Sequence, residues 1–181
     1  DGVSGVTLLM AAATYGHERV VELLLQHGAE IDLQRSDGSS ALMDAAGQGE
    51  ERVAELLLRH GAEVNLQDSG GSTALTAAAL HGHERVMELL LRHGMEINLQ
   101  SSAGWTSLMR AAHQGRERVV DLLLRHGAEV NLQNSGGYTA LIAAAIDGHE
   151  RVIELLLRHG AEINQQSSNG STALMLAAQE G

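Results

Sequence analysis

Histidine is the residue of this chain that most suggests chemistry, because imidazole binds metal ions and transfers protons near neutral pH. The 181 residues include ten histidines. Five of them recur every 33 residues, each directly before a glycine: His27, His60, His93, His126 and His159. Tetrahedral zinc needs ligands that converge on one point, and a single imidazole in each repeat does not supply them. We therefore expect these side chains to hydrogen-bond to helix ends, and we predict neither a metal site nor a cofactor.

The sequence also gives no support for acid–base or nucleophilic catalysis. Carboxylates such as Glu84 and Glu88 recur with the same spacing on a helical face that we expect to be exposed, which favours solubility over a tuned acid–base pair. The chain has no cysteine, and the known serine-hydrolase, phosphate-loop and zinc-protease motifs are missing. His81 and His83 would need a third ligand to hold a metal ion. We predict that the protein is not an enzyme.

Charge argues against two classes of partner. The formal net charge is -11, with only 12 basic residues. Such a chain repels the phosphates of nucleic acids and of anionic lipids. Arg, His, Glu and Gly also interrupt every leucine run well before the roughly 20 apolar residues that a membrane helix requires. We expect no nucleic-acid partner and no membrane partner.

The elements that position these residues follow from the period of 33. Glycines recur at 28, 61, 94, 127 and 160, and a leucine series from Leu9 to Leu174 keeps the same step. Within one unit, residues 71–79 begin with hydroxyl side chains suited to N-capping and continue in alanine, which predicts a slim helix. Residues 83–93 show apolar helical spacing and end at Gly94, which predicts a second, bulkier helix. Residues 96–104 read as a loop rich in turn formers.

Gly-Ser-Thr-Ala-Leu at 71–75, Gly-His at 82–83, the leucine triplet at 89–91, and Gly-Ala and Val-Asn at 127–131 together resemble the ankyrin repeat pattern. The resemblance covers essentially the whole chain. It implies an all-α solenoid of paired antiparallel helices joined by hairpin-like loops. We predict a single ankyrin-repeat domain over residues 1–181, with repeats at 5–37, 38–70, 71–103, 104–136 and 137–169 and a half repeat at 170–181.

The chain departs from the family pattern in its loops. The turn aspartate survives only at Asp68, and its equivalents are Arg35, Ser101, Asn134 and Ser167. We expect the loop hydrogen bonds of the family to be weakened at those four positions. The asparagines of the Val-Asn and Ile-Asn pairs, such as Asn98, are expected to satisfy loop backbone groups.

The resemblance implies that the first helices and the loop tips line a concave face that binds a partner protein. Trp105 and Tyr138 occupy one position in successive units, so we expect two exposed, neighbouring rings there. Tryptophan, tyrosine and arginine dominate interface hot spots. The candidate partner-binding residues are Trp105, Tyr138, Arg110, His113, Leu80, His81, Ile146, Asp147 and Asp44. The predicted role is that of an intracellular, for example cytoplasmic, adaptor.

Three alternatives stay open. In the first, the repeats form a structural or engineered scaffold without a dedicated ligand, which near-identical units favour. In the second, they are the repeat segment of a larger multidomain protein. In the third, the variation at the loop tips is drift and Trp105 packs on its neighbouring loop.

Self-association through the terminal repeats is also predicted, unless the chain is cut from a longer array. Polar terminal caps are not visible in the sequence, so two apolar faces should be exposed and should stack end to end. Static light scattering over rising concentrations should then show an increasing mean mass. A constant monomer mass at high concentration contradicts the stacking.

Overall fold

The computed structural model describes residues 5–180, and within them the secondary structure consists of eleven helices without a strand. Their bounds are α1 Leu8–Thr14, α2 Glu18–Gln26, α3 Ala41–Gln48, α4 Glu51–Arg59, α5 Ala74–His81, α6 Glu84–Arg92, α7 Ser107–His113, α8 Glu117–Arg125, α9 Ala140–Ile146, α10 Glu150–Arg158 and α11 Ala173–Glu180. The predicted all-α class is confirmed. None of these helices has the length and apolar character needed to cross a bilayer.

Helix contacts divide the chain into two compact units, Asp1–Glu96 with α1 to α6 and Ile97–Gly181 with α7 to α11. A single domain over residues 1–181, with the repeat bounds given above, stays a prediction. In the first unit, each first helix packs against the next first helix, in the order α1, α3, α5. The second helices pack in the same way, in the order α2, α4, α6, and each first helix also contacts the second helix of its own repeat. The second unit repeats this pattern with α7, α9 and α11 beside α8 and α10. Alanine keeps the first helices slim enough for this close packing.

Hydroxyl side chains start the first helices, as the sequence predicts. Each accepts a hydrogen bond from the backbone N–H three residues later, at 3.1 to 3.4 Å. These caps are Thr7, Ser40, Thr73, Thr106 and Thr139. They satisfy N–H groups that a helix otherwise leaves without an acceptor.

The periodic histidines end the second helices, and their expected role is confirmed. In each, Nδ1 lies 2.8 to 2.9 Å from the carbonyl oxygen four residues earlier. A carbonyl only accepts, so Nδ1–H donates in each of these bonds.

Side chains of the loops accept backbone hydrogen bonds at the turn aspartate and at some of its replacements. Asp68 Oδ1 accepts the N–H groups of residues 70 and 72, and Asn134 Oδ1 accepts those of residues 136 and 138. Ser101 Oγ accepts from the backbone of Trp105. The expected weakening is wrong at Asn134, whose amide oxygen accepts both bonds, whereas Ser101 accepts only one. Near Arg35 and Ser167, the side chains of Asp37 and Asn169 accept the N–H of residues 39 and 171 instead.

A ladder of side chains connects successive repeats. Asn98 Oδ1 accepts the backbone N–H of Glu129 at 2.9 Å. The same bond, one repeat apart each time, joins Asp32 to Glu63, Asn65 to Glu96 and Asn131 to Glu162. These asparagines satisfy loop backbone groups as predicted.

Arg35 ties a loop to a first helix through two carboxylates. It lies 3.0 Å from Asp37 and 2.8 Å from Asp44. Burial raises the pKa of Asp44 above its ordinary value, although Arg35 favours the charged form. The pKa of Asp37 is lowered, first by the N–H of Ser39 and then by Arg35.

Large exposed apolar side chains occur in the first and last repeats, as the sequence predicts. Leu8 is 76% exposed and Leu174 is 78% exposed, whereas Leu141, one repeat before Leu174, is 3% exposed. Self-association itself stays a prediction.

Replacing Gly137 with alanine should destabilise the protein more than replacing Gly127. Both glycines lie in the left-handed region, with φ of 73° and 87°, so either alanine strains the backbone by about 1 to 2 kcal/mol. A methyl group at Gly137 would also lie 2.5 Å from the backbone nitrogen of Ser168, while at Gly127 nothing lies within 4 Å. Urea unfolding should therefore show a clearly larger loss for Gly137→Ala. Equal losses would contradict the close approach of the two loops.

The two carboxylates on Arg35 should have opposite effects on the pH dependence of stability. A raised pKa means that folded Asp44 binds its proton more tightly than the unfolded chain, so its contribution falls as pH rises from about 3.9 through the raised value. For Asp37, with a lowered pKa, the contribution grows as pH rises through its folded value toward about 3.9. Urea unfolding should be measured from pH 2 to pH 7. As the pH rises, the free energy of unfolding of Asp44→Asn should increase relative to that of the wild type, whereas that of Asp37→Asn should decrease relative to it. Parallel curves for the two variants would contradict these shifts.

Candidate functional site

Trp105 and Arg110 form the centre of the candidate site, in the second unit. Trp105 lies in the loop before α7, where its backbone N–H donates to Ser101 Oγ at 3.1 Å and its carbonyl accepts from the Ser101 N–H at 2.9 Å. Arg110, one turn into α7, places its guanidinium carbon 4.7 Å from the centre of the Trp105 ring. This is a cation–π contact, worth roughly 0.5 to 1 kcal/mol at a partly exposed site. The loop and the helix together therefore hold a positive charge against an aromatic face.

His113 extends the site into the next repeat. Its ring lies 5.8 Å from that of Trp105, and its Nδ1 lies 2.5 Å from a carboxylate oxygen of Asp147, which follows α9. A carboxylate accepts, so Nδ1–H donates. The backbone carbonyl of His113 accepts a hydrogen bond from His149 Nε2 at 2.9 Å. Two repeats therefore join at His113 through its side chain and its backbone.

Tyr138 and Ile146 lie in the same unit, on the repeat that carries Asp147. The backbone N–H of Tyr138 donates to Asn134 Oδ1 at 2.9 Å, and a methyl group added at Gly136 would lie 3.6 Å from the tyrosine ring. Ile146 is half-buried at the end of α9. Tyr138 and Trp105 are both half-buried as well, so the expectation of exposed rings is wrong. The Trp105 ring packs on residues of its own α7 instead.

The remaining candidates belong to the first unit. Leu80 is half-buried and His81 is exposed at the end of α5, where the His81 ring lies 6.0 Å from that of His83. Asp44 is 12% exposed and pairs with Arg35. The second unit thus brings together Trp105, Arg110, His113 and Asp147, and Asp44 has a partner inside the fold.

The pairing of His113 with Asp147 is the feature that the sequence did not reveal. The two residues are 34 positions apart, not 33, so a comparison of equivalent positions does not connect them. The signal was available in their types, since an imidazole and a carboxylate at the ends of successive first helices suit one another. The hydrogen bonds that Ser101 and Asn134 accept from the loop backbone were also not predicted, because both residues replace the aspartate of the family pattern.

The arrangement suits recognition of a surface. Among residues 5–180 no group of three or more His, Asp and Glu side chains is placed to hold a metal ion. A groove of 280 Å³ in this unit lies at the start of α10, where Gly115, His149 and Glu150 contribute to its lining. The cluster around Trp105 is instead a partly exposed patch of one ring, one cation and an imidazole–carboxylate pair. Small molecules usually bind in concave pockets, whereas such patches are typical of contacts with proteins.

Comparison with known families agrees with the repeats. Ankyrin repeat models match three times, over residues 1–68, 42–134 and 126–181, so the matches together span the chain. No curated protein matches it significantly. Ankyrin repeats are generally protein-interaction modules. With these matches and the helix pairs that repeat every 33 residues, the chain belongs to the ankyrin repeat family.

Proposed function

We propose that this protein is an adaptor module that binds a partner protein through the second unit. The binding surface consists of Trp105, Arg110, His113, Tyr138, Ile146 and Asp147. The observation that carries the proposal is the connected cluster of Arg110, Trp105, His113 and Asp147, which spans two repeats and is partly open to solvent. A catalytic role is not part of this proposal, and the intracellular location stays a prediction.

The physical support is that these side chains are already ordered before a partner arrives. Burying an aromatic side chain at an interface is favourable, but fixing a mobile side chain costs roughly 0.5 to 1.5 kcal/mol. Here the cation–π contact and the imidazole–carboxylate pair fix Trp105, Arg110 and His113 in advance. The surface thus combines the residue types of hot spots with low ordering cost.

The first unit contributes less to the proposed surface. His81 is exposed and Leu80 is half-buried, and neither belongs to the cluster of the second unit. Asp44 is held by Arg35, and we expect its replacement to change stability more than partner affinity.

Removing Trp105 or Arg110 should weaken partner binding strongly. A partner is identified by affinity capture on the wild-type chain, with the bare support as the negative control, and is then purified. Calorimetric titration should show that Trp105→Ala and Arg110→Ala each lose about 2 kcal/mol or more of binding free energy. The matched control is Arg158→Ala, which removes an exposed arginine of α10 and should leave affinity unchanged.

Circular dichroism must show the same helix content for each variant. Unchanged affinity in both Trp105→Ala and Arg110→Ala would remove the proposed surface and favour a scaffold without a ligand there. A loss in Arg158→Ala alone would place the contact on the second helices instead.

A further inference from the structure

Arg110 has no carboxylate partner among the described residues, although several other arginines of the chain do. The sequence has 23 acidic residues for 12 basic ones, so acidic partners are plentiful. Arg35 contacts two carboxylates, Arg52 lies 3.5 Å from Glu18, and Arg125 pairs with Asp121. Among the described residues, the side chain of Arg110 has only the Trp105 ring as a polar or charged contact.

The carboxylate of the cluster pairs with another residue and not with Arg110. Asp147 accepts from His113 at 2.5 Å. A guanidinium has five N–H donors, and contact with a ring leaves most of them free of a protein acceptor and open to a ligand. Arg110 is also half-buried, which distinguishes it from an exposed arginine whose donors are all solvated. A half-buried cation in this state gains more from a carboxylate than an exposed one does.

The local charge agrees with an acidic ligand. Residues 1–96 contain six arginines and fifteen acidic residues, and residues 97–181 contain six arginines and eight acidic residues. From residue 110 to residue 125 the balance reverses, with four arginines and two acidic residues. The segment that begins at Arg110 is thus less acidic than the rest of the chain, and Asp147 adds one carboxylate to the cluster itself.

We propose that the partner binds through an aspartate or glutamate that pairs with Arg110 while a neighbouring part of the same segment packs on Trp105. This inference rests on the proposed function and adds the chemistry of the partner: a peptide segment with a carboxylate. The planar guanidinium matches a carboxylate in a two-point hydrogen bond, and the ring orients it before binding.

The test uses a displayed library of random twelve-residue peptides, selected on the full immobilised chain and counter-selected on Arg110→Gln. Peptides that bind the wild type but not the variant should be enriched in Asp or Glu. For a selected synthetic peptide, changing its acidic residue to the amide should weaken binding to the wild type by about tenfold or more. The same peptide change should have little further effect on Arg110→Gln, because the pair is then already broken.

Controls separate the two proposals. Arg158→Gln should bind the selected peptides as the wild type does. Helix content should be alike in all variants, and each variant should be fully folded at the temperature of the binding assay. Peptides that need Trp105 but show no dependence on a carboxylate would overturn this inference and leave the proposed function standing. If no peptide depends on Trp105, both fail. Competition by a single-stranded oligonucleotide as strong as that by the acidic peptide would also overturn it, since the site would then be a general polyanion site.

Discussion

The structure depends on the fact that a single repeat cannot satisfy its own polar groups or bury its own apolar face. Asn98 accepts the N–H of Glu129, and His149 donates to the carbonyl of His113, each in a neighbouring repeat. The fixed period of 33 residues places each such donor opposite its acceptor in the neighbouring repeat.

Much of the fold follows from the sequence because its determinants are local or strictly periodic. The Thr73 cap of α5 and the bond from His93 to the end of α6 each involve residues three or four positions apart. The prediction of weakened loop hydrogen bonds was wrong at Asn134, because an amide oxygen accepts the bonds that the aspartate carboxylate accepts elsewhere. The prediction that Trp105 is exposed was also wrong, because the direction in which a loop side chain turns depends on the neighbouring helix.

The candidate site could be predicted only in part from the sequence. Variation between equivalent positions identified Trp105, Arg110 and His113, but not which of them touch. The pairs that organise the molecule, Arg35 with Asp44 and His113 with Asp147, join positions that the repeat does not make equivalent. Such pairs depend on rotamers and on the packing of adjacent helices, which a single sequence does not contain.

The imidazole that joins one repeat to the carbonyl of the preceding first helix is present at His83 and His149. Glu50 and Arg116 occupy the same position in the intervening repeats. Almost identical modules thus differ in whether an imidazole forms this bond. The hydrogen bond of His149 connects the repeat that contains His113 with the repeat that contains Asp147. One of these imidazoles therefore holds together the two repeats that form the proposed surface.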